Sequence, residues 1–124
     1  MRILLIAIFG AIGTLARYAL QGVVQYRTGP VFPTGTLAVN LSGCLLLGFL
    51  GQLTLNRMVV SPEWRLAVTI GFFGGYTTFS TFGFETFRLI ESKDYRAASA
   101  NILVNVAGSL VAAYAGLKIA GLIM

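Results

Sequence analysis

The chain has no histidine, a single cysteine and only four acidic residues among 124. With Cys44 alone inside an apolar run, an internal disulfide is excluded, and metal clusters and catalytic triads are starved of ligands. No nucleotide-binding Walker sequence is present, so no energy source is visible. Charged residues make up 10% of the chain, far below the roughly 25% usual in soluble domains. Apolar residues make up 56%, a composition that water would not dissolve. The net charge of +5 raises nucleic acid as a partner. The basic residues are scattered at the ends of apolar stretches, however, and a phosphate-binding footprint would be a concentrated patch. They read as snorkelling anchors at a membrane surface, and nucleic-acid binding is set aside.

What is present is length of apolar chain. A membrane helix needs about 20 mostly apolar residues, and four such spans fit, at about 3–25, 36–55, 66–87 and 97–124. This predicts an all-α integral membrane protein, a single four-helix domain over 1–124, multi-pass in the cell (inner or plasma) membrane. The first half of span one resembles a signal-peptide core, with Arg2 before it and Thr14-Leu15-Ala16 as a cleavage site. Three further spans argue against cleavage, and Gly10, Gly13 and Ala16 read as a helix-packing face. Arg17 lies within the span, marking either an ion pathway or a snorkelling anchor.

Span two opens with Asn40 one turn inside it, an amide that needs partners or water and that serves most often as glue between helices. Ser61-Pro62-Glu63 reads as an N-cap, a first-turn proline and an early acid, and Trp64 as an interfacial anchor. Glu85, near the end of span three, is expected to pair with Arg88 three residues on. In span four, Asn101, Asn105 and Ser109 recur every four residues and share one face, which suggests a polar track lining a path. Ala112, Gly116 and Ala120 follow as a close-packing ridge, with Lys118 snorkelling outward.

The segment 71–85 reads Gly-Phe-Phe-Gly-Gly-Tyr-Thr-Thr-Phe-Ser-Thr-Phe-Gly-Phe-Glu. Four glycines and four serine or threonine hydroxyls sit in a stretch otherwise apolar enough to cross a bilayer. Lipid cannot hydrogen-bond freed backbone groups, so an interruption there must face protein or a watery cavity. The expectation is a third helix broken at mid-membrane, offering loose carbonyls and N–H ends from which ion sites are made. Phe79 and Phe82 stand three apart and project from nearly the same face.

Four spans place Arg2, Arg57, Arg65 and Lys118 on one side and Arg27, Arg88, Lys93 and Arg96 on the other. Orientation follows the excess of Lys and Arg, and a balance of this kind predicts none. A protein inserting both ways can form an antiparallel, dual-topology homodimer that brings two copies of the span-three break together.

These motifs resemble the Fluc (CrcB-type) fluoride channel family along essentially the whole chain. The resemblance rests on Gly10-Ala11-Ile12-Gly13-Thr14-Leu15-Ala16-Arg17-Tyr18, on Gly35-Thr36-Leu37-Ala38-Val39-Asn40, and most of all on the run from Gly71 to Phe82. It implies a homodimer with two fluoride pores and a structural, non-transported sodium ion (Na+) at the interface, held by backbone carbonyls of Gly74 and Thr77. By the same resemblance Phe79 and Phe82 flank fluoride with their ring edges. Asn40 and the hydroxyls of Ser80 and Thr81 belong to the pore lining, and Asn105 and Ser109 match polar positions of the last helix. Many members carry a tyrosine where this chain has Asn101, and often a serine where it has Gly83.

The residues suit that role. Fluoride is tightly hydrated and must be given donors in place of water. Phenyl edges carry the positive part of the ring quadrupole. Arg17 gathers anions at a pore mouth or holds the segments flanking the break. The expected function is a passive channel that exports cytoplasmic fluoride and reduces its toxicity, without enzymatic activity. Its rivals are a proton-coupled small multidrug-type exporter, which needs a membrane-embedded carboxylate that span one lacks, and a structural membrane subunit.

Overall fold

The computed structural model describes residues 1–57 and 60–124; the side chains of 55–57, including the Arg57 of the charge count, lie outside the described residues. Every regular element among the described residues is helical. Among the described residues, three helices are long and apolar enough to cross a membrane: α1 (Arg2–Thr28), α2 (Thr34–Arg57) and α6 (Tyr95–Ile123). The remaining stretch is assembled from pieces. A short α3 (Pro62–Leu66) leads into a π-helical segment (Ala67–Phe72) and α4 (Phe73–Tyr76), and α5 (Phe79–Glu91) follows after two extended residues.

Local chemistry accounts for the ends. α1 stops at Gly29, whose φ of 91° only glycine adopts without strain. Gln25 then ties down the connection to α2. Its Nε2 donates to the Gly29 and Phe32 carbonyls (2.6 and 2.9 Å), and its Oε1 accepts from the Gly35 N–H at 3.1 Å. Pro62 occupies the first turn of α3, but the Ser61 side chain makes no capping bond. Asp94 caps α6 by accepting from the Ala97 N–H at 3.1 Å.

Small residues bring the helices together. α2 packs most extensively on α6, where a Cβ on Gly48 would overlap the Ala113 carbonyl and one on Gly116 the Leu45 carbonyl. Ala120, from the same ridge, is fully buried. α1 lies along the π-helical segment and α4. A Cβ on Gly13 would overlap the Phe72 carbonyl, and one on Gly75 would sit 2.6 Å from the Gly10 carbonyl. Val39, Phe73 and Tyr76 form the apolar core beneath this contact, with Ala16 packed against them. The Tyr76 hydroxyl shares a 2.8 Å hydrogen bond with Ser42. Glycine therefore does its work here by allowing backbones to touch, the usual means of holding apolar helices together where no water drives them.

Candidate functional site: the cavity beside the α4–α5 interruption

α4 ends at Tyr76. Thr77 (φ −89°, ψ 157°) and Thr78 (φ −148°, ψ 119°) are extended, and α5 starts at Phe79. Interrupting a helix strands backbone groups that need other partners. The Thr77 N–H still reaches the Phe73 carbonyl at 3.0 Å. The Thr78 N–H, which in a continuous helix would go to the Gly74 carbonyl, donates to Asn40 Oδ1 at 2.9 Å. The Thr81 N–H, which would go to the Thr77 carbonyl, donates to the Thr78 hydroxyl at 3.3 Å, so Thr78 caps α5. Both the Gly74 and the Thr77 carbonyls are thus released from helical pairing. The Gly75 carbonyl receives Arg17 Nε at 3.0 Å across 58 residues of chain, which ties α1 to the last turn before the interruption.

Beside the interruption lies a cavity of about 360 Å³. Its walls bring together Asn40, Phe79, Phe82, Asn105 and Ser109, with Thr77 and Thr78 at the break itself and Cys44 from α2. The two rings have centroids 5.5 Å apart and are tilted by 53°. Phe82 is buried at 7% exposure, whereas Phe79 is 79% exposed and faces out of the chain. α5 begins beside this cavity, with Phe79 of its first turn in the wall, so the positive end of its dipole lies nearby.

Asn40 is held on three sides. Its Nδ2 donates to the Thr78 carbonyl (3.0 Å) and to Asn105 Oδ1 (3.1 Å), while its Oδ1 accepts from Thr78. Asn105 Nδ2 in turn donates to the Asn101 carbonyl and Oδ1 (3.1 and 2.8 Å). Asn101 Nδ2 donates to the Thr86 hydroxyl at 2.9 Å.

Not all of the expected site residues meet here. Ser80 is exposed and does not line the cavity, and Thr81 lies outside it with its hydroxyl accepting from Thr78 at 2.9 Å. Asn101, expected in the same track as Asn105 and Ser109, is fully buried away from the cavity. Glu85 does not pair with Arg88: Glu85 Oε1 accepts from the Thr36 hydroxyl at 2.8 Å, which also receives Gln21 Nε2 at 3.1 Å. Arg88 faces Glu91 instead, at 3.5 Å on an exposed surface. Helix α5 turns Glu85 inward to α2, so the nearer cation in sequence is not the nearer partner in space.

Sequence reasoning missed Thr78 as the cap and Thr86 as the terminus of the asparagine series. Thr78 carried a local signal, standing three residues before Thr81 as an N-cap hydroxyl stands before N3. Thr86 carried none, because its partner is on another helix.

A family model described as "CrcB-like protein, Camphor Resistance (CrcB)" matches residues 4–117. Among curated relatives, a protein of Geobacter sulfurreducens named "Fluoride-specific ion channel FluC" is 50% identical over 95% of both chains. Proteins of the same name from Geotalea uraniireducens, 48% identical over 95% of both chains, and Syntrophotalea carbinolica, 49% identical over 96% of this chain and 95% of its own, are similar to it to the same extent.

Proposed function

The chain belongs to the CrcB-like family, and from that premise we propose that it is a passive, fluoride-selective channel through which the cytoplasm sheds fluoride. The family is one of ion channels and not of enzymes, and the chain is a multi-pass membrane protein. The observation that carries the proposal is the cavity in which Phe79, Phe82, Asn40, Asn105 and Ser109 converge beside the start of α5. A small anion there meets ring edges, a hydroxyl and the positive end of a helix. None of these is a full charge that would trap it, and conduction needs sites that can be left as readily as entered.

The finer assembly is part of the same proposal. The pieces from α3 to α5 together form a fourth span, interrupted at mid-depth by Thr77 and Thr78. Two chains of opposite orientation pair across the exposed side that carries Gly74, Phe79 and Ser80, consistent with the even division of Lys and Arg between the two ends. Ser80 then completes a pore wall only in the pair. The donor set fits a central sodium ion. Gly74 and Thr77 present neutral, hard carbonyl oxygens freed by the bonds that Thr78 and Thr81 make elsewhere, and unwound backbone of this kind suits Na+. Such an ion supplies positive potential to both pores. Arg17, held on the Gly75 carbonyl, fixes the turn that carries those oxygens.

The direction of flow follows from acid–base chemistry. Neutral HF crosses the bilayer, ionises inside and is trapped as the anion. An interior-negative potential then drives it out with about 2.3 kcal/mol per charge per 100 mV.

The test is fluoride efflux from liposomes containing the purified protein, with Phe79→Ile and Phe82→Ile alongside. Fast flux that either substitution severely reduces is expected. Chloride flux equal to fluoride flux would overturn the selectivity, and protein that moves no ion at all would leave a structural subunit in its place.

A further inference from the structure

A guanidinium without a counter-ion sits in the groove where α2 stops and α3 begins. Arg65, on α3, reaches across to the last turn of α2. Its Nη2 donates to the Thr54 carbonyl at 3.2 Å, one of the carbonyls that the end of a helix leaves unpaired. Its Nε is shut away from solvent and has no hydrogen-bond partner. The one ion pair among the described residues is Arg88 with Glu91, so no carboxylate there answers the Arg65 charge, not even that of Glu63 two residues before it.

The surroundings are a poor solvent for such a charge. Arg65 lines a cavity of about 160 Å³ walled chiefly by Leu50, Val60, Trp64 and Val68. A half-buried cation against apolar walls is costly unless an anion meets it.

Depth says which anion is at hand. α2 ends at Arg57 and Pro62 opens α3, so the groove lies at the level where the chain leaves the membrane. Trp64, 48% exposed and edge-on to Phe9 with ring centroids 5.7 Å apart, is the kind of residue that settles at that interface. The acidic residues are unevenly placed. Arg2, Arg57, Arg65 and Lys118 share this end with Glu63 alone, whereas Glu85, Glu91 and Asp94 stand toward the other end. At headgroup level the available anion is lipid phosphate, and basic pockets between membrane helices take such headgroups.

We propose that the groove between α2 and α3 binds one anionic phospholipid of the phosphatidylglycerol kind. Its phosphate sits on the open side of the Arg65 guanidinium, and one acyl chain lies along Leu50, Trp64 and Val68. A zwitterionic lipid brings its own cation beside the phosphate and fits this site less well. The site is independent of what the chain conducts.

Trp64 is the only tryptophan and lines the groove, so its fluorescence reports the occupant. The full chain is reconstituted into vesicles of phosphatidylcholine and phosphatidylglycerol in varied proportions. Brominated acyl chains, which quench an indole on contact, are placed on one lipid or the other. A preference for phosphatidylglycerol of about fivefold is expected, the worth of one arginine near an anionic headgroup. Arg65→Gln should bring the ratio to one, and Arg88→Gln, at the opposite end, should leave the wild-type value. Val60→Glu sets a carboxylate in the wall of the same cavity; it should also abolish the preference, and it decides alone if Arg65→Gln does not fold. Equal quenching by both lipids in wild type, or a preference that survives these changes at Arg65 and Val60, overturns the proposal. A preference lost equally in Arg88→Gln would be general surface attraction and overturns it as well. So does a Trp64 that neither lipid quenches, because protein, a second copy of this chain, would then cover the groove.

Discussion

Asn40 and Thr78 exchange two hydrogen bonds across 38 residues of chain, the Thr78 N–H donating to Oδ1 at 2.9 Å and Nδ2 donating to the Thr78 carbonyl at 3.0 Å. An amide side chain thus takes the part that a neighbouring strand would play for an extended residue. Where helical pairing stops, both backbone groups of that residue remain satisfied without water.

Replacing Asn40 by leucine leaves both Thr78 groups without that partner. The expected loss is about 2 kcal/mol or more, seen as a lower thermal midpoint in detergent, together with loss of fluoride efflux. An unchanged midpoint would show that the clamp is dispensable.

Phe79 and Phe82 separate stability from conduction. Phe82 is buried within the chain and Phe79 is not, so Phe82→Ala should cost about 3 kcal/mol while Phe79→Ala leaves the unfolding of the single chain nearly unchanged. Efflux should fall for both. Equal thermal shifts in the two variants would contradict the difference in burial.

Two glycines make a paired control. At Gly13 an added Cβ would overlap the Phe72 carbonyl, whereas at Gly83 nothing lies within 4 Å. Gly13→Ala should force α1 from the π-helical segment and destabilise by about 1–3 kcal/mol. Gly83→Ser should express, fold and conduct as wild type. Expression yield and thermal midpoint measured on both together give the comparison.

Arg17 acts through a directed bond to the Gly75 carbonyl. Arg17→Lys keeps the charge but not the guanidinium geometry, so it should lower efflux nearly as much as Arg17→Met does. Efflux restored by lysine and weakened by salt would instead assign Arg17 to gathering anions at a pore mouth.

Sodium dependence follows from the freed carbonyls. Purifying and reconstituting the protein with N-methylglucamine in place of Na+ should reduce efflux, and returning Na+ should restore it. Full activity after prolonged sodium-free handling would remove the ion from the proposal.

The three long helices were legible because length and apolar composition alone decide them, and the relation to the channel family because Gly71–Phe82 is so unusual a run. Local pairing was less legible. Gly74 and Gly75 drew attention as helix breakers, yet both are helical; Gly75 serves the close approach to Gly10, and the extended residues are Thr77 and Thr78. What makes extension affordable there is Asn40, far away in sequence. Glu85 found Thr36 rather than Arg88 for the same reason, and Asn101, still bonded to Asn105 of its own face, turned its Nδ2 to Thr86 and away from the cavity. Periodicity tells which residues share a face, but not which of them a neighbouring helix will claim.

The piecemeal build of residues 62–91 also bears on how the protein is made. No helix in this stretch exceeds the thirteen residues of α5, and it carries Arg65, Glu85 and Arg88. During synthesis it emerges after α1 and α2, which hold the Gly13 notch, Arg17 and Asn40 that receive it. If this stretch forms the proposed fourth span, its entry into the lipid is expected to be templated by the earlier hairpin, and a nascent chain lacking Asn40 is expected to insert it poorly and to be degraded faster, which a pulse-chase comparison with wild type would read.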